Sequence, residues 1–365
     1  MVPDVQERGE AAPLKPVRLA IAGLGNVGRN FLAILQSQAD LLERDGLTIR
    51  VVGAADSGGA AIDPDGLDPA LLVATKQAGR SVARLPRVGR LDLPLGDLLD
   101  AARPDLFCEA TPVDLRTGQP GLAAVRHALT HGIACVLANK GPLALAFQEL
   151  AALSDLAGPG KPGLRFSACV GGALPTVNLG RRDLAGARIT EIECILNGTS
   201  QGVLRAMEAG HSFDDAVAEM QRRGVAETDP SLDVDGWDQA VKLVILANAV
   251  LGRPTDLGDL TVRGIRDVTA AELRAAAVRG ERLVLLGRAR RDAASGDWRF
   301  TVEPTCLPGA HPLARMGADE MGIVYRTDIS GIIHATSEEV DAVPTAAAML
   351  RDVLELHRLG ALVRA

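Results

Sequence analysis

A run of acidic residues that leads into a single lysine, ETDPSLDVDGWDQAVK, has the residue types that proton transfer requires. Lys242 is followed by the apolar run LVILANAVL, so it stands at the edge of a predicted buried helix. Asp238 lies four residues earlier, and residues with this spacing share one face of a helix. A lysine beside a carboxylate at the edge of a core can have its pKa tuned for acid–base catalysis, with Asp238 orienting it. Glu227 and Asp233 precede the helix on a loop, where they can bind the ammonium group of a substrate.

An ordinary structural role explains the same pattern. The start of an exposed helix often carries an ion pair, and acidic side chains near a helix N-terminus interact favourably with the helix dipole. Taken alone, the pattern therefore leaves a catalytic pocket and an exposed helix start as alternatives.

A glycine-rich motif, GLGNVG, follows an apolar run and opens a segment with helical spacing. In this context the pattern GxGxxG is typical of dinucleotide binding. Gly23 allows a tight turn, Gly25 lets the backbone approach a pyrophosphate, and Gly28 lets the helix pack closely on the strand. Asn26 and Val27 complete the turn. A glycine-rich turn that binds no ligand is the alternative.

Asp56 ends the second predicted strand, in GAADSGG. A carboxylate there can accept hydrogen bonds from the ribose 2′-hydroxyl of NAD and would repel the 2′-phosphate of NADP. No arginine follows closely, which favours NAD, although Lys76 could reach a phosphate. An aspartate in a strand-end turn is the alternative.

Two further motifs, EATP and ANKGP, each follow a predicted strand. Ligands of open α/β sheets bind at the carboxyl edge of the strands. We therefore expect Ala110, Thr111 and Pro112 to line the cofactor site. Lys140 could hold a carboxylate or a reacting oxygen; its place beside the expected cofactor site favours this role over that of a solvated loop lysine.

Alternating strands and helices position these motifs. Up to about residue 160 the strands are short, continuous apolar runs, which indicates a parallel, doubly wound α/β sheet covered on both faces. Later strands alternate with period two, which indicates antiparallel strands in an α+β domain. We expect a disordered tail (residues 1–15) and then a Rossmann-type dinucleotide-binding domain (residues 16–160). A substrate-binding and dimerisation domain (residues 161–340) should follow, and a C-terminal helix (residues 341–365) should return to the first domain.

The composition of the 365 residues disfavours several classes of protein. A net charge of −7 and an aromatic content of 2% disfavour nucleic-acid binding. No apolar run approaches the ~20 residues of a membrane span, and no apolar signal segment opens the chain, so we expect no membrane association and a cytoplasmic location. The five cysteines form no cluster with histidine, so we expect no metal site.

The chain resembles the homoserine dehydrogenase family over most of its length. The resemblance rests on motifs that occur in this order: GLGNVG, GAADS, EATP, ANKGPLA, VGGALP, ILNGTS, GVAETDPSLDVDGWDQAVKLVILA, HPLA and PTAAAMLRD. The long segment from Gly224 is the most specific of them. The resemblance implies a homodimer or larger homo-oligomer that uses NAD or NADP to interconvert L-homoserine and L-aspartate semialdehyde, on the route to threonine and methionine.

The resemblance also implies roles for individual residues. Lys242 would be the acid/base, Asp238 would orient the substrate or the lysine, and Lys140 would be a second lysine near the nicotinamide. Glu227 would bind the substrate. The pocket would be shaped by Asn197, Gly198 and Thr199. Which lysine moves the proton is left open.

The sequence departs from the family pattern at several positions. Ser167 replaces a usual glutamate near a monovalent-cation site formed by backbone carbonyls of residues 170–174, which counts against that cation. An asparagine and an aromatic residue are usual where Gln201 and Gly202 stand. A Gly-Ala-Gly loop is usual where the chain has Glu338 and Glu339.

These departures keep two alternatives open. One is the same hydride chemistry on another small hydroxy- or amino-acid, and the other is a dinucleotide-binding regulator without turnover. A C-terminal regulatory domain is not expected.

Overall fold

The computed structural model describes residues 15–362. The predicted disordered tail therefore lies outside the described residues, apart from Lys15. Within the described range, no helix combines the length and the apolar character needed to cross a bilayer.

A seven-stranded sheet in the order β4-β3-β2-β1-β5-β6-β7 organises the first part of the chain. Its strands are β1 (Val17–Ala22), β2 (Ile49–Asp56), β3 (Gly59–Ile62), β4 (Gly89–Leu91), β5 (Leu106–Glu109), β6 (Ala134–Leu137) and β7 (Leu164–Arg165). Five neighbouring strands, β2, β1, β5, β6 and β7, pair in parallel, as predicted. Strand β3 runs antiparallel to both of its neighbours, β2 and β4, at one edge of an otherwise parallel sheet.

Both faces of this sheet are covered, which confirms the doubly wound prediction. Ala20 and Ala22 of β1 belong to one buried apolar cluster, whereas Leu19 and Ile21 belong to another. Successive residues of a strand point to opposite faces, so the two clusters lie on opposite sides of the sheet. Six helices accompany the strands: α1 (Asn26–Ser37), α2 (Ala39–Arg44), α3 (Pro69–Gln77), α4 (Leu95–Ala102), α5 (Gly121–Thr130) and α6 (Gly141–Leu153).

The segment LRFSACV, predicted as one strand, forms a strand only at Leu164–Arg165 and then a 3-10 turn at Ser167–Cys169. The reason is a competing hydrogen bond. The backbone N–H of Ser167 donates to the buried carboxylate of Asp352 at 2.7 Å instead of to a neighbouring strand. Because β7 pairs with β6, the first sheet also extends past the domain boundary that we expected at residue 160.

A second sheet of six strands, in the order β13-β12-β8-β10-β11-β9, follows. Its strands are β8 (Ile189–Ile195), β9 (Leu260–Val262), β10 (Glu281–Arg291), β11 (Trp298–Pro308), β12 (Glu320–Thr327) and β13 (Ile332–Glu338). The period-two segments predicted as strands form β8, β10 and β11. These strands pair antiparallel, as expected.

Helices of the second part are α7 (Thr176–Asn178), α8 (Gly198–Glu208), α9 (Phe213–Arg222), α10 (Ser231–Val234), α11 (Trp237–Ala249) and α12 (Ala270–Val278), with a π-helical turn at Leu179–Asp183. The predicted N-caps are confirmed: Ser212 accepts a hydrogen bond from Asp215 N, and Thr269 accepts one from Glu272 N.

The last helix, α13 (Val343–Arg358), returns to the first sheet, as predicted. Met349, Val353 and Leu356 are buried in the same apolar cluster as Leu19 and Phe31. This packing joins the end of the chain to the dinucleotide-binding part.

Candidate active site

Asp238 lies between the two lysines that the sequence singled out. Lys140 Nζ is 3.0 Å from Asp238 Oδ1, and Lys242 Nζ is 2.8 Å from Asp238 Oδ2. The side chains of the three residues are 22%, 12% and 13% exposed for Lys140, Lys242 and Asp238, respectively. One carboxylate therefore binds two ammonium groups in a largely desolvated place, and we call these three residues the lysine–carboxylate cluster.

Each lysine comes to the cluster from a different element. Lys140 follows β6 and immediately precedes α6, whereas Asp238 and Lys242 lie one turn apart on α11. Helix α11 is buried from Leu243 to Asn248, so its first turns stand at the edge of the core, as predicted. Lys242 Nζ also donates to the carbonyl oxygen of Leu196, at the end of β8.

Asn197 joins a second acid to the cluster. Its Nδ2 donates to Asp233 Oδ1 at 2.7 Å and to Asp238 Oδ2 at 2.8 Å. Its Oδ1 accepts from Ser200 N at 2.7 Å, which caps α8. Because both ends of the amide are engaged, the side chain of Asn197 is fixed, and with it the separation of the two acids.

The opposite charges of the cluster stabilise the ionised forms of its acid and its lysines. Burial opposes ionisation of Asp238, but Lys140 and Lys242 outweigh it and hold the pKa of this carboxyl well below its ordinary range. Burial likewise opposes the charge of Lys140, but the negative charge of Asp238 raises its pKa. The pKa of Asp233 is raised, first by burial and then by the charge of Asp238. Lys140 and Asp238 are therefore both ionised at neutral pH.

Glu227 is not part of this arrangement. Its side chain is exposed, and its backbone oxygen accepts a hydrogen bond from Gln221 Nε2 at 3.2 Å. Gly198 and Thr199 begin α8 next to Asn197, and Thr199 is buried with its hydroxyl 3.3 Å from Val225 O. Of the two acids predicted to bind the substrate, Asp233 therefore lies in the site. Glu227 lies on the loop that precedes Asp233.

The glycine motif forms a turn at the carboxyl end of β1. Gly23 has a φ of +88°, and a Cβ there would lie 2.1 Å from Ala110 O, so only glycine fits. Gly25 precedes α1, and a Cβ there would meet nothing within 4 Å. Open space at the N-terminus of a helix fits the pyrophosphate of a dinucleotide, and Asn26 and Val27 form the first turn of that helix. At Gly28 a Cβ would lie 2.0 Å from Gly23 O, which explains the third glycine.

Contacts along the carboxyl edge of the sheet connect this turn to the lysine–carboxylate cluster. Gly23 packs against the backbone of Ala110 and Thr111, which precede Pro112. Asn139 Nδ2 donates to Thr111 Oγ1 at 3.2 Å, and its Oδ1 accepts from Gly141 N at 2.9 Å. Lys140, the next residue after Asn139, reaches Asp238. A dinucleotide on the glycine turn would therefore extend towards the two lysines.

Asp56 is occupied by interactions within the protein. Its carboxylate accepts from Lys76 Nζ at 2.7 Å, Ser81 Oγ at 2.7 Å, Gly58 N at 2.9 Å and Val82 N at 3.0 Å. Burial opposes its ionisation, yet these donors hold the pKa of Asp56 below its ordinary value. Lys76, which we considered as a partner for a phosphate, is instead paired with the acid. The charges at this end of the site therefore nearly cancel.

Sequence reasoning missed Glu109, the last residue of β5. Its side chain is fully buried, its Oε1 accepts from Thr111 N at 2.8 Å, and its Oε2 has no partner among the described residues. Burial raises the pKa of Glu109 to about 7. The motif EATP contained this acid, but only the fold shows that it is buried beneath the cofactor loop.

Replacing Glu109 by glutamine should change how stability depends on pH. An acid whose pKa is about 7 in the folded protein, against an ordinary value of 4.5, destabilises the fold progressively as pH rises between these values. The free energy of unfolding of Glu109→Gln, relative to wild type, should therefore increase by about 3 kcal/mol from pH 4.5 to pH 8. Urea unfolding at several pH values measures this difference. The exposed Glu43→Gln is the control, and a difference for Glu109→Gln that is independent of pH would contradict the expectation.

The departures at Gln201 and Gly202 serve packing within the second part. Gln201 is buried and its Nε2 donates to Gly317 O at 3.1 Å. A Cβ at Gly202 would lie 2.4 Å from the sulfur of Met220, so α8 and α9 approach closely only with glycine there. These contacts join α8 to Gly317 and to Met220 of α9.

The acidic loop before α13 does reach the site region. Glu338 is exposed at the end of β13, but Glu339 Oε1 accepts from Ala173 N at 2.6 Å. A Cβ at Gly172, whose φ is +54°, would lie 2.0 Å from both carboxylate oxygens of Glu339. Burial raises the pKa of Glu339, which the charge of Lys242 partly opposes. Glu339 thus places a carboxylate against the loop of residues 171–174.

The segment suggested for a monovalent cation already has its own donors. Val170 O accepts from Thr176 Oγ1 at 2.7 Å, and Ala173 O accepts from Arg351 Nη1 at 2.8 Å. The guanidinium of Arg351 also supplies a positive charge to this segment. These donors compete with a monovalent cation for two of the carbonyl oxygens.

A dinucleotide turn at the edge of a parallel sheet, joined to a cluster of two lysines and a carboxylate, defines a dinucleotide-dependent dehydrogenase. Comparisons with known proteins give the family. A family model described as homoserine dehydrogenase matches residues 175–354, and one described as homoserine dehydrogenase, NAD binding domain, matches residues 23–159.

Individual relatives agree with these matches. The chain is 34% identical over 342 residues to the homoserine dehydrogenase of Methanocaldococcus jannaschii, which covers 93% of this chain and 98% of the relative. It is 32% identical over 343 residues to the NAD(+)-dependent homoserine dehydrogenase of Pseudomonas canavaninivorans, covering 93% and 96%. The crystal structure of a homoserine dehydrogenase from Thiobacillus denitrificans matches with a TM-score of 0.79 at 29% identity, covering 95% of this chain and 75% of that one.

The chain belongs to the homoserine dehydrogenase family, and it is an NAD(P)-dependent oxidoreductase.

Proposed function

We propose that the protein interconverts L-homoserine and L-aspartate semialdehyde at the lysine–carboxylate cluster, with Lys242 as the acid/base. The observation that carries the proposal is the single carboxylate of Asp238, which holds Lys140 at 3.0 Å and Lys242 at 2.8 Å beside the cofactor loop. Two ammonium groups converging there suit a reaction in which an oxygen gains or loses both negative charge and a proton.

The two lysines have different tasks in this proposal. The raised pKa of Lys140 keeps it charged, so it polarises the carbonyl oxygen of the aldehyde. Lys242 gives its proton to that oxygen during reduction and removes it from the hydroxyl during oxidation. Asp238 keeps both ammonium groups in place. A bound nicotinamide supplies or accepts the hydride.

The acids near the cluster recognise the amino-acid part of the substrate. Asp233 is held by Asn197 at 2.7 Å, close to the cluster, and forms no ion pair with either lysine. It is suited to receive the substrate ammonium group. Glu227, on the exposed preceding loop, supplies a second negative charge that attracts this ammonium group.

NAD is the preferred cofactor in this proposal because Asp56 pairs with Lys76 and so keeps this lysine from binding a 2′-phosphate. The variant Asp56→Ser should lower the ratio of kcat/KM with NAD to kcat/KM with NADP by about tenfold, since it removes the carboxylate and leaves the charge of Lys76 available to a phosphate. The ratio is measured with both cofactors on one preparation, which cancels any loss of folded protein. The exposed Asp40→Ser is the control. An unchanged ratio in Asp56→Ser would contradict the role of this carboxylate.

A second candidate function is the same hydride chemistry on another small hydroxy- or amino-acid. The carboxylate of Glu339 against Ala173 N favours it, because this charge is absent from the loop that the family usually has. Glutamate at this position would disfavour substrates with an extra negative charge nearby and favour cationic ones.

We further propose a homodimer formed through the second sheet. The edge strand β13 leaves Ile332 exposed, and an edge strand presents unpaired backbone groups to a partner. The molar mass in solution, measured by light scattering, tests this proposal; the mass of a single chain would refute it.

The reaction is tested by following absorbance at 340 nm. Purified protein is given L-homoserine with NAD or NADP, and L-aspartate semialdehyde with NADH or NADPH, beside a panel of other hydroxy acids. Turnover with homoserine above the rest of the panel supports the proposal. Preference for another compound would establish the second candidate, and binding of dinucleotide without any turnover would indicate a regulator.

A further inference from the structure

We propose that a cavity lined by four arginines binds a small anion that carries a di- or triphosphate group. The cavity has a volume of about 510 Å³, and its arginines are Arg181, Arg188, Arg253 and Arg291. Its one aromatic lining residue is Trp298, and glycine and aliphatic residues form the rest of the described lining. Among the described residues, the wall of this cavity thus contains positively charged but no negatively charged side chains.

Packing of distant segments gathers these residues around the cavity. Arg181 lies in the π-helical turn, Arg188 directly precedes β8, and Arg253 follows α11. Arg291 ends β10, and Trp298 begins β11. The segments RRD and RARRD each supply one of the four arginines, but the sequence does not show that these segments meet.

The four guanidinium groups form no ion pair with any of the described residues. The next arginines in the chain differ: Arg182 pairs with Asp183 at 3.0 Å, and Arg290 lies 4.0 Å from Glu191. The carboxylate of Asp292 is occupied by two backbone N–H groups of the turn that follows it. A bound anion would therefore supply the negative charge that the described protein does not provide in this cavity.

Burial and a like charge both act against the positive charge of Arg181. Burial lowers the pKa of this guanidinium, and the nearby charge of Arg165 lowers it further. Asp155 and Glu355 oppose this effect only in part, and each is itself paired with Arg165 at 2.8 Å. An anion beside Arg181 would stabilise its charged form.

Capping of α11 is the alternative explanation for a basic residue at this place, because basic side chains often donate to the last carbonyl groups of a helix. Here the backbone does so instead: Ala247 O accepts from the backbone N–H of Arg253 at 3.0 Å. Of the four guanidinium groups, only that of Arg291 donates to a described carbonyl, Gly296 O, at 3.2 Å. The other three donate no hydrogen bond within the described part of the chain, so capping does not account for them.

The lining determines the class of ligand. Arginine binds phosphate through two parallel hydrogen bonds, and the cavity presents four arginines and no lysine among its described residues. Its volume of about 510 Å³ lies within the range of small-molecule sites, about 300–1,000 Å³, and exceeds the volume of a single phosphate. Several linked phosphates match the four positive charges, and Trp298 with the aliphatic residues suits an organic group attached to them.

The cavity lies at the opposite end of α11 from the lysine–carboxylate cluster. Ala249, which lines the cavity, comes seven residues after Lys242, or about 10 Å along a helix. Strand β8 separates the two places as well: Arg188 precedes it, whereas Leu196, whose carbonyl binds Lys242, follows its other end. The inferred site is therefore distinct from the proposed reaction and does not depend on it.

Calorimetric titration of the full-length protein with inorganic tripolyphosphate tests the proposal, with saturating NAD present so that the glycine turn is occupied. We expect one anion per chain and binding that weakens as the NaCl concentration is raised. Arg181→Gln and Arg253→Gln should each weaken binding by about tenfold or more, since each variant loses one charge-assisted pair. Arg290→Gln is the matched control: it removes the same charge from the residue next to Arg291 and should bind as wild type does.

Thermal unfolding provides a second measurement. Tripolyphosphate at about a hundredfold the Kd of wild type should raise the Tm of wild type and of Arg290→Gln by several degrees, and that of Arg181→Gln and Arg253→Gln by less. The proposal is overturned if wild type shows no stoichiometric binding of tripolyphosphate while NAD is bound. It is equally overturned if Arg181→Gln and Arg253→Gln bind tripolyphosphate as tightly as wild type does.

Discussion

Replacement of Lys242 by alanine should lower kcat by about 10²–10⁴-fold, the range that a positioned acid/base contributes. Lys242 Nζ is held by Asp238 at 2.8 Å and by the carbonyl of Leu196, so its position is fixed, and alanine supplies no proton there. Initial rates with homoserine and with aspartate semialdehyde measure this loss.

Two further variants distinguish the tasks of the lysines. Lys140→Ala should also reduce activity, because it removes the charge that polarises the carbonyl oxygen, but it should reduce kcat less than Lys242→Ala does. The exposed Lys161→Ala controls for loss of a lysine as such. If Lys140→Ala loses more of kcat than Lys242→Ala does, the assignment of acid/base must pass to Lys140.

Replacement of Asp238 by asparagine should lower kcat/KM by at least about 10²-fold, because both ammonium groups lose the group that positions them. The amide has the same shape, so the effect comes from charge. Without the carboxylate, burial is no longer outweighed and the pKa of Lys140 should fall. The activity of the variant should therefore have its optimum at a lower pH than that of wild type.

The same variant should be less stable by about 3 kcal/mol at pH 7, as expected when one partner of a mostly buried ion pair is removed. Because the pKa of Asp238 is lowered in the folded state, its contribution is complete above its ordinary pKa and declines only as pH falls below about 4. The stability difference should thus shrink by about 1 kcal/mol between pH 5 and pH 3.

Asp235→Asn provides the matched comparison for stability. Asp235 lies three residues before Asp238 and pairs with Arg266, but both side chains are more exposed, at 35% and 48%. Exposed pairs contribute about 0–1 kcal/mol, so this variant should be nearly neutral. Equal losses in Asp235→Asn and Asp238→Asn would mean that the acidic segment matters only for folding.

Several features of the site followed from the sequence because they depend on local spacing. The motif GLGNVG predicted a strand, a tight turn at Gly23 and a helix start, and the structure has all three; the φ of Gly23 in that turn is +88°. Asp238 and Lys242 were expected on one helix face and pair at 2.8 Å. The apolar residues after Lys242 predicted that α11 is buried.

Other parts of the site depend on contacts between distant residues, which the sequence did not show. The carboxylate of Asp56, predicted to bind a ribose hydroxyl, also accepts hydrogen bonds from Lys76 and Ser81. The strand expected in LRFSACV ends after Arg165 because a carboxylate of α13 takes the next backbone N–H. Glu227 lies with its side chain exposed, apart from the cluster that the same segment forms.

By itself, the sequence determined the local units of this protein: the glycine turn, the alternation of strands and helices, and the helix face that carries Asp238 and Lys242. These depend on residues a few positions apart, whose relative placement the backbone dictates once a helix or strand forms. Only the tertiary structure brought Lys140 to Asp238, buried Glu109 beneath the cofactor loop, and set Arg181 and Arg253 around one cavity. Each of these contacts joins residues far apart in the chain. Such contacts arise from how helices and sheets pack, which local spacing does not specify.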